Sequence, residues 1–482
     1  MQTASAAALA DERLAAFRAE INAPGIAYGL VRDGELVHAA GTGEVVLGSG
    51  RVPGPDDVFR IASMTKSFTA SAILLLRDRG ALRLDDPVSL HLPWTAALRP
   101  EGGGADITLR DLLSMNAGFP TDDPWGDRHE SLGLEDFDAL VAQGISFARP
   151  PRTGYEYSNL GYALLGRVVT VVSGTDYREF VSSELLAPLG MTATCYDARD
   201  VPPERLVQGY HPVDAGVVPE PLSVPGAFSA MGGLHSSIRD LTRWVGAFQG
   251  SWTGDVVHPL SRWSLREMQE QHSFVAAAAV PATGDVPERV VSASYGFGLV
   301  AEDDRRLGRF VSHSGGYPGF GSHMRWHLES GWGVLVLGNR TYTPAHRVSS
   351  VLLAEIVEAH RTEHPTDVAA TLWPRTRAAM DVVESLAAAW DDALAERWFA
   401  PNVDLDRPRA ERRAALESVP ARIGALRRAG RAWESSSPAH VRWWLEGGEG
   451  TAYAEVLLSP DRVPLIQSLT LSTDPVPDST WD

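Results

Sequence analysis

The spacing of apolar and polar residues predicts strands at both ends of the first 360 residues. Two short apolar runs, 26–31 and 36–40, flank Arg32-Asp-Gly, and an Asp-Gly turn between such runs indicates a β-hairpin. Further strand-like runs follow at 295–302, 309–313, 324–327 and 332–339. Strands that flank a long intervening segment in this way are typical of an antiparallel sheet built from both ends.

Helical periodicity dominates the segment between these strands and returns after them. Apolar residues recur every three or four positions at 63–79, 107–114, 159–173, 236–244 and 345–360. Gly80 and Gly174 follow two of these stretches, at the position where glycine commonly ends a helix. We therefore predict an α/β (α+β) fold in which a helical subdomain is inserted into an antiparallel sheet.

The pattern changes again after residue 362. Residues 363–374 carry turn-forming residues and two prolines, which favours a linker. Helical patterns rich in Ala and Arg then continue to about residue 430, followed by apolar runs at 440–444, 451–458 and 464–471. We predict a catalytic domain at 1–362, a linker at 363–374 and a small, β-containing accessory domain at 375–482.

Composition narrows the function classes. The 482-residue chain carries a formal net charge of −18 and has no run rich in Lys and Arg, so nucleic-acid binding is not expected. The single cysteine, Cys195, excludes an intramolecular disulfide and has no basic residue beside it in sequence, so we expect it to be structural. The N-terminus lacks the pattern of a secretory signal, and no stretch of about 20 apolar residues is present. These features predict a cytoplasmic protein without a membrane span.

One basic residue differs from all others. Of the 43 basic residues, 42 are arginines, and Lys66 is the only lysine. A guanidinium does not deprotonate in proteins, whereas a buried ammonium group can lose its proton. Lys66 is therefore a candidate for proton transfer and not only for charge.

The first motif is Ser63-Met-Thr-Lys66 at the start of a predicted helix. Residues three positions apart lie on one helix face, about 5–6 Å apart at Cβ. A serine hydroxyl needs a nearby base to become a nucleophile, and a neutral lysine in an apolar site is such a base. At a helix N-terminus, free N–H groups also stabilise negative charge that develops on the serine. The alternative is a solvated helix start, because this tetrapeptide is common.

The second motif is Tyr157-Ser-Asn159, just before an apolar helix. Alternate residues of an extended segment point the same way, so Tyr157 and Asn159 can face one cleft. A phenol near a lysine can share a proton, and an amide can position an acyl substrate. A buried tyrosine and a helix cap at Asn159 are the structural alternative.

The third motif is His313-Ser-Gly315-Gly316, on a short strand before a glycine-rich turn. Glycines allow a substrate backbone to approach the strand edge. The N–H groups of Ser63 and Gly316 could together form an oxyanion hole. A lone histidine is more often structural than catalytic, so His313 by itself indicates little.

Other local patterns carry weaker chemistry. The acidic loop Asp122-Asp-Pro-Trp-Gly-Asp either lines the cleft or caps a turn, and we favour the turn. The spacing of His360 and His364 falls at a helix end and does not match His-Glu-x-x-His, so no metal site is expected. Gly316-Tyr-Pro-Gly-Phe-Gly opens no helix, and no Gly-x-Ser-x-Gly elbow is present. We predict no cofactor and no α/β-hydrolase.

In this order, the three motifs resemble those of penicillin-recognising serine enzymes: DD-peptidases, class C β-lactamases, D-aminopeptidases and related esterases. The resemblance covers about residues 20–360 and includes the flanks Phe59-Arg-Ile-Ala before Ser63 and Gly154-Tyr-Glu before Tyr157. It implies a β-lactamase/transpeptidase-like fold. It also implies Lys66 as acylation base, Tyr157 as proton shuttle, Asn159 as substrate contact, and His313 where true β-lactamases usually have lysine. The histidine argues against β-lactam hydrolysis as the main activity.

Within that family, the chain is most similar to stand-alone penicillin-binding-protein-type thioesterases of nonribosomal peptide synthesis. The resemblance implies a lipocalin-like C-terminal domain and a peptidyl thioester substrate on a carrier domain, with a D-residue at the acyl position. It further implies release of a head-to-tail macrolactam. A D-aminopeptidase or esterase and a non-catalytic penicillin-binding sensor are the alternatives, the sensor being disfavoured because all proton-transfer groups are present. The sequence indicates neither the ring size nor the oligomeric state.

Overall fold

The structure is a computed structural model that describes residues 1–100, 103–214, 216–254, 258–284, 286–364 and 371–474. The chain divides into two compact units, Met1–Glu363 and His364–Asp482. Residues 365–370 of the predicted linker lie outside the described residues.

The first unit is built on an eight-stranded antiparallel sheet with the strand order β2-β1-β12-β11-β10-β9-β8-β7. Its strands are β1 (Gly25–Arg32), β2 (Glu35–Gly43), β7 (Ser273–Val280), β8 (Arg289–Tyr295), β9 (Val300–Asp304), β10 (Gly308–Tyr317), β11 (Phe320–His327) and β12 (Trp332–Gly338). Two small ribbons pair β3 (Phe59–Arg60) with β6 (His235–Ser236) and β4 (Tyr210–Val213) with β5 (Gly216–Pro219). Because β1 pairs with β12, the sheet joins the two ends of the unit, as predicted.

The predicted hairpin forms as β1 and β2, joined at Asp33 and Gly34. Both turn residues have positive φ, +50° and +84°, which matches the right-handed twist of the strands. The predicted strand 295–302 is wrong as a single element. The chain reverses between Tyr295 and Val300, with Gly298 at φ +68°, so the run contributes to two neighbouring strands, β8 and β9. Alternation alone did not reveal this turn.

Helices cover both faces of the sheet and fill the inserted subdomain. They are α1 (Thr3–Glu20), α2 (Thr65–Asp78), α3 (Val88–His91), α4 (Leu109–Leu113), α5 (Asp123–Arg128), α6 (Leu134–Ala142), α7 (Asn159–Ser173), α8 (Tyr177–Val181), α9 (Ser229–Gly232), α10 (Ile238–Thr253), α11 (Arg262–Met268) and α12 (Ala345–Glu363). One sheet face packs with α1 and α12, and the other belongs to the core that contains α2 and α10. Thr65 to Leu76 of α2 are all buried, so this helix is central to the unit.

The second unit has an open four-stranded antiparallel sheet and four helices among its described residues. The strand order is β13-β14-β15-β16. The elements are α13 (Pro374–Ala388), α14 (Asp392–Trp398), α15 (Pro401–Asp406), α16 (Arg409–Ile423), β13 (Arg427–Arg428), β14 (His440–Gly447), β15 (Gly450–Leu458) and β16 (Ile466–Ser472). The helices pack with the sheet around Trp443 and Met380. The described residues thus form the predicted small domain that contains β-strands, with helices completing its core; their sheet stays open and is not the lipocalin-like barrel that the resemblance implies.

Candidate active site

Ser63 lies in a tight turn at the centre of the first unit. A 3₁₀ turn, Ala62–Met64, connects β3 to α2, so the helix begins at Thr65 rather than at the serine. Ala62 has φ +47°, a conformation that costs free energy for a residue with a Cβ and is common at functional sites. Ser63 is buried, with 8 % of its surface exposed. The turn places this hydroxyl at the beginning of α2, as the spacing of the motif predicts.

Lys66 is held by three hydrogen bonds and is completely buried. Its Nζ lies 2.9 Å from Ser63 Oγ, 2.6 Å from Asn159 Oδ1 and 2.8 Å from the carbonyl oxygen of Met231. Burial lowers the pKa of Lys66 from 10.5 to about 8, against the opposing effect of nearby aspartates. At pH 7, roughly a tenth of the amine is then neutral and able to accept a proton from Ser63.

This pKa predicts the pH dependence of Ser63 acylation. Because only neutral Lys66 accepts a proton, kcat/KM should rise about tenfold per pH unit below 8 and level off above 8. The measurement is the rate of ester or thioester consumption from pH 5.5 to 9.5, with correction for spontaneous hydrolysis. A rate that is flat between pH 6 and 9 would contradict a lysine base.

Tyr157 and Asn159 lie on either side of Ser158, which caps α7. Ser158 Oγ accepts a hydrogen bond from Gly161 N at 3.1 Å, so the helix starts at Asn159. The Tyr157 side chain interacts with that of Ser63, and its ring centroid is 4.8 Å from Lys66 Nζ. Burial raises the pKa of Tyr157 well above its usual value. The phenol therefore stays protonated, and it can relay a proton but not act as a standing tyrosinate.

The acidic loop both caps a helix and borders the site. Asp122 accepts hydrogen bonds from the backbone N–H groups of Asn159 and Leu160 at 2.7 and 2.9 Å, which caps α7. Asp123 accepts a hydrogen bond from Asn159 Nδ2 at 2.9 Å, so the amide of Asn159 bridges Asp123 to Lys66. The preferred prediction, a turn cap, missed this second role. The run of carboxylates in the sequence was the available signal for this role. The contact of Lys66 with the carbonyl oxygen of Met231 had no signal in the sequence.

His313 borders the same site, and its ring nitrogens form hydrogen bonds with Ser314 and Tyr295. Its Nδ1 donates to the carbonyl oxygen of Ser314 at 2.6 Å, so Nε2 accepts from the hydroxyl of Tyr295 at 3.0 Å. Burial lowers the pKa of His313 to about 3, which keeps the ring neutral. Its ring centroid is 6.5 Å from that of Tyr157. The structure thus places His313 beside Tyr157, with one ring nitrogen bonded to Tyr295 and the other to Ser314. Tyr295 is a residue of the site that the sequence did not single out.

Gly315 and Gly316 lie on the part of β10 that borders the site. A Cβ on Gly315 would come within 2.2 Å of the carbonyl oxygen of Ile61, so only glycine allows the strand to pack beside the Ser63 turn. β11 pairs with β10 up to Tyr317, whereas the pairing of β9 with β10 ends at Ser312. Among the described residues, the edge from 313 to 317 thus has no neighbouring strand on the β9 side, which leaves room for a substrate backbone.

In the part of the chain that the structure describes, no group of three or more His, Cys, Asp or Glu residues could hold a metal ion. Over the same residues, no helix combines the length and apolar character needed to cross a bilayer.

Comparison with known proteins shows the family. The beta-lactamase family model matches residues 10–358, and the chain belongs to this family of serine enzymes. Penicillin-binding protein 4* of Bacillus subtilis is 29% identical over 294 residues, which are 59% of this chain and 61% of that protein. Protein flp of Staphylococcus aureus is 26% identical over 344 residues, 70% of this chain and 64% of its own length. The chain thus spans less than two thirds of these curated relatives.

A solved structure shows the same fold. The octameric penicillin-binding protein homologue from Pyrococcus abyssi superposes with a TM-score of 0.61 at 22% identity, covering 97% of this chain and 100% of that chain. With the family match, this similarity confirms the predicted β-lactamase/transpeptidase-like fold with its antiparallel sheet and helical subdomain.

Proposed function

We propose that this protein is a peptide-releasing acyltransferase that forms a peptidyl ester on Ser63. In this proposal, Ser63 takes the peptidyl group from a carrier-protein thioester, and the peptide's own amine then displaces it as a head-to-tail macrolactam. The observation that carries the proposal is the hydrogen bond between Ser63 and the fully buried Lys66. A base of this kind serves acylation and deacylation equally, because it accepts a proton from whichever nucleophile attacks.

The charges around the site favour a donor without a carboxylate beside the scissile bond. His313 is neutral, so the position that a cationic lysine commonly takes in β-lactamases offers no positive charge here. Asp122, Asp123 and Asp127 all act electrostatically on Lys66, which makes this side of the site acidic. A substrate amine is attracted to such a site, whereas a substrate carboxylate is repelled. Both effects support a thioester donor and an amine acceptor.

The chemical steps balance with the residues present. Ser63 Oγ attacks the thioester carbonyl while its proton moves to Lys66 Nζ, and the C–S bond breaks as the leaving thiolate receives a proton through Tyr157. In the second step, the peptide amine attacks the carbonyl carbon of the Ser63 ester and loses a proton to Lys66 Nζ as the C–N bond forms. The ester C–O bond then breaks, and Lys66 returns the proton to Ser63 Oγ, which completes the cycle. The N–H groups of Ser63 and Gly316 are the candidates for stabilising the oxyanion in both steps.

The test is to offer a peptidyl N-acetylcysteamine thioester whose last residue is in the D-configuration. Mass spectrometry then separates cyclic product from linear acid, and the L-epimer of the same peptide serves as the matched control. Cyclic product from the D-epimer only would support the proposal. Linear acid alone would support the second candidate, a D-stereospecific aminopeptidase or esterase, which the acidic surroundings of Lys66 also favour. Stable acylation by penicillin without thioester turnover would point to a sensor.

A further inference from the structure

Tyr342 lies in the loop between β12 and α12, beside the open part of β10. Its side chain is 46% exposed, although its backbone is held firmly. The Tyr342 N–H donates to the carbonyl oxygens of Tyr317 and Phe320 at 3.3 and 3.0 Å, and the residue has φ +50°. A bulky residue in this left-handed conformation is uncommon and occurs where the surroundings impose it, frequently at ligand-binding sites.

The ring of Tyr342 packs directly against Gly316. A Cβ on Gly316 would come within 2.9 Å of the Cδ1 atom of Tyr342. Gly316 is therefore glycine for a reason different from Gly315, because it accommodates an aromatic ring and not a neighbouring backbone. Since Gly316 belongs to the edge of β10 that has no partner on the β9 side among the described residues, the ring bounds one end of that edge.

The hydroxyl of Tyr342 reaches across to the helical subdomain. It donates a hydrogen bond to Asp127 Oδ2 at 2.8 Å. Asp127 belongs to α5, which packs so closely on the site that a Cβ on Gly126 would lie 2.8 Å from the Cβ of Asn159. Tyr342 thus connects the strand that carries Gly316 to the helix that flanks Asn159.

A second, buried connection joins the same two elements. The Tyr317 hydroxyl donates to the carbonyl oxygen of Asp127 at 3.0 Å and to Glu130 Oε2 at 2.8 Å, and Glu130 forms a buried ion pair with Arg60. This connection is buried and fixes the spacing between β10 and α5. A substrate can contact the Tyr342–Asp127 bond, because the tyrosine is half exposed. Breaking this bond does not require β10 and α5 to separate.

We propose that Tyr342, held by its hydrogen bond to Asp127 (the latch), forms a strap between β10 and α5. This strap limits the size of the acyl groups that Ser63 accepts. Peptidyl groups with a small side chain on the acylated residue fit beneath the ring, whereas bulky side chains require the latch to open. Tyr342 is in this sense a specificity-determining residue and not a catalytic one. The proposal rests on the proposed acyl-serine function and assigns its substrate preference.

The test compares two peptidyl N-acetylcysteamine thioesters that differ only in ending in D-Ala or D-Trp. Y342F removes the latch but keeps the ring, and it keeps the Asp127 carboxyl group in place beside Lys66. We expect Y342F to raise the D-Trp/D-Ala ratio of kcat/KM about threefold and Y342A about tenfold, mostly through a lower KM for D-Trp. A gain with the bulky substrate cannot result from a damaged fold.

Controls separate failure of this inference from failure of the proposed function. Trp263→Ala removes an exposed ring on α11 and should leave the ratio unchanged. If the wild-type protein acylates neither thioester, the proposed function fails. If it acylates both and the ratio stays the same in Y342F and Y342A, or if Y342A loses activity toward D-Trp selectively, the strap is wrong. Asp127→Ala should raise the ratio as Y342F does, and the double variant D127A/Y342F should raise it no further.

Discussion

Ser63→Ala is expected to lower kcat/KM for thioester turnover by about 10⁴-fold or more, since no acyl-enzyme can form. The hydroxyl is 2.9 Å from Lys66 Nζ and lies beside Tyr157, so both proton-transfer groups are next to this single oxygen. The measurement is single-turnover consumption of the thioester, combined with intact-protein mass spectrometry to detect the added acyl mass.

The matched control for this variant lies on the helix that follows Ser63. Ser71→Ala removes a buried hydroxyl from α2 that donates a hydrogen bond to the sulfur of Met268, at 3.4 Å, and not to a group of the site. It should keep activity within about threefold of the wild type and still acquire the acyl mass. If Ser63→Ala turned over substrate at the rate of Ser71→Ala, the acyl-serine mechanism would be ruled out.

Lys66→Arg should cost about 10³-fold in the acylation rate, although the variant keeps a positive charge at this position. A guanidinium does not deprotonate in a protein, so it cannot accept the proton of Ser63 at any accessible pH. The rise of kcat/KM toward pH 8 should disappear together with the rate. The observable is the pH profile of the residual activity, measured over the same range as for the wild type.

Two companion variants make this result specific. Lys66→Met has nearly the shape of lysine without its amine, and it should lose as much activity as Lys66→Arg if proton transfer is the cause. Arg79→Lys makes the reverse exchange, arginine to lysine, at the exposed end of α2. It should leave both the rate and the pH profile unchanged. A Lys66→Met variant that retains more than a tenth of wild-type activity would show that Lys66 serves packing instead, because methionine carries neither the amine nor its charge.

Much of the site could be predicted from the three short motifs, because each motif depends on local geometry. The i, i+3 spacing of Ser63 and Lys66 places them on one face at the start of α2, and alternation on either side of Ser158 directs Tyr157 and Asn159 to that same pair. The solitary lysine made proton transfer the natural hypothesis. Geometry of this kind extends over three or four residues, so it is visible in the sequence.

Contacts between distant segments were not visible in the same way. The amide of Asn159, expected to contact substrate, also bridges Lys66 to Asp123. The ring of His313, expected where true β-lactamases usually have lysine, accepts a hydrogen bond from Tyr295 at its Nε2. Each of these contacts depends on which loops the inserted subdomain brings against the sheet, and no local spacing determines that.

The sequence by itself determined the β1–β2 hairpin, the helix α7, the antiparallel sheet with its helical insertion, and the Ser63–Lys66 pair. These follow from hydrophobic periodicity, turn chemistry and helical spacing, which act between near neighbours. The tertiary structure alone decided the burial that lowers the pKa of Lys66, the open sheet of the second unit, and the latch between Tyr342 and Asp127, which are 215 residues apart. Burial and long-range contacts are properties of the packed chain, because only packing excludes water and brings such distant residues together.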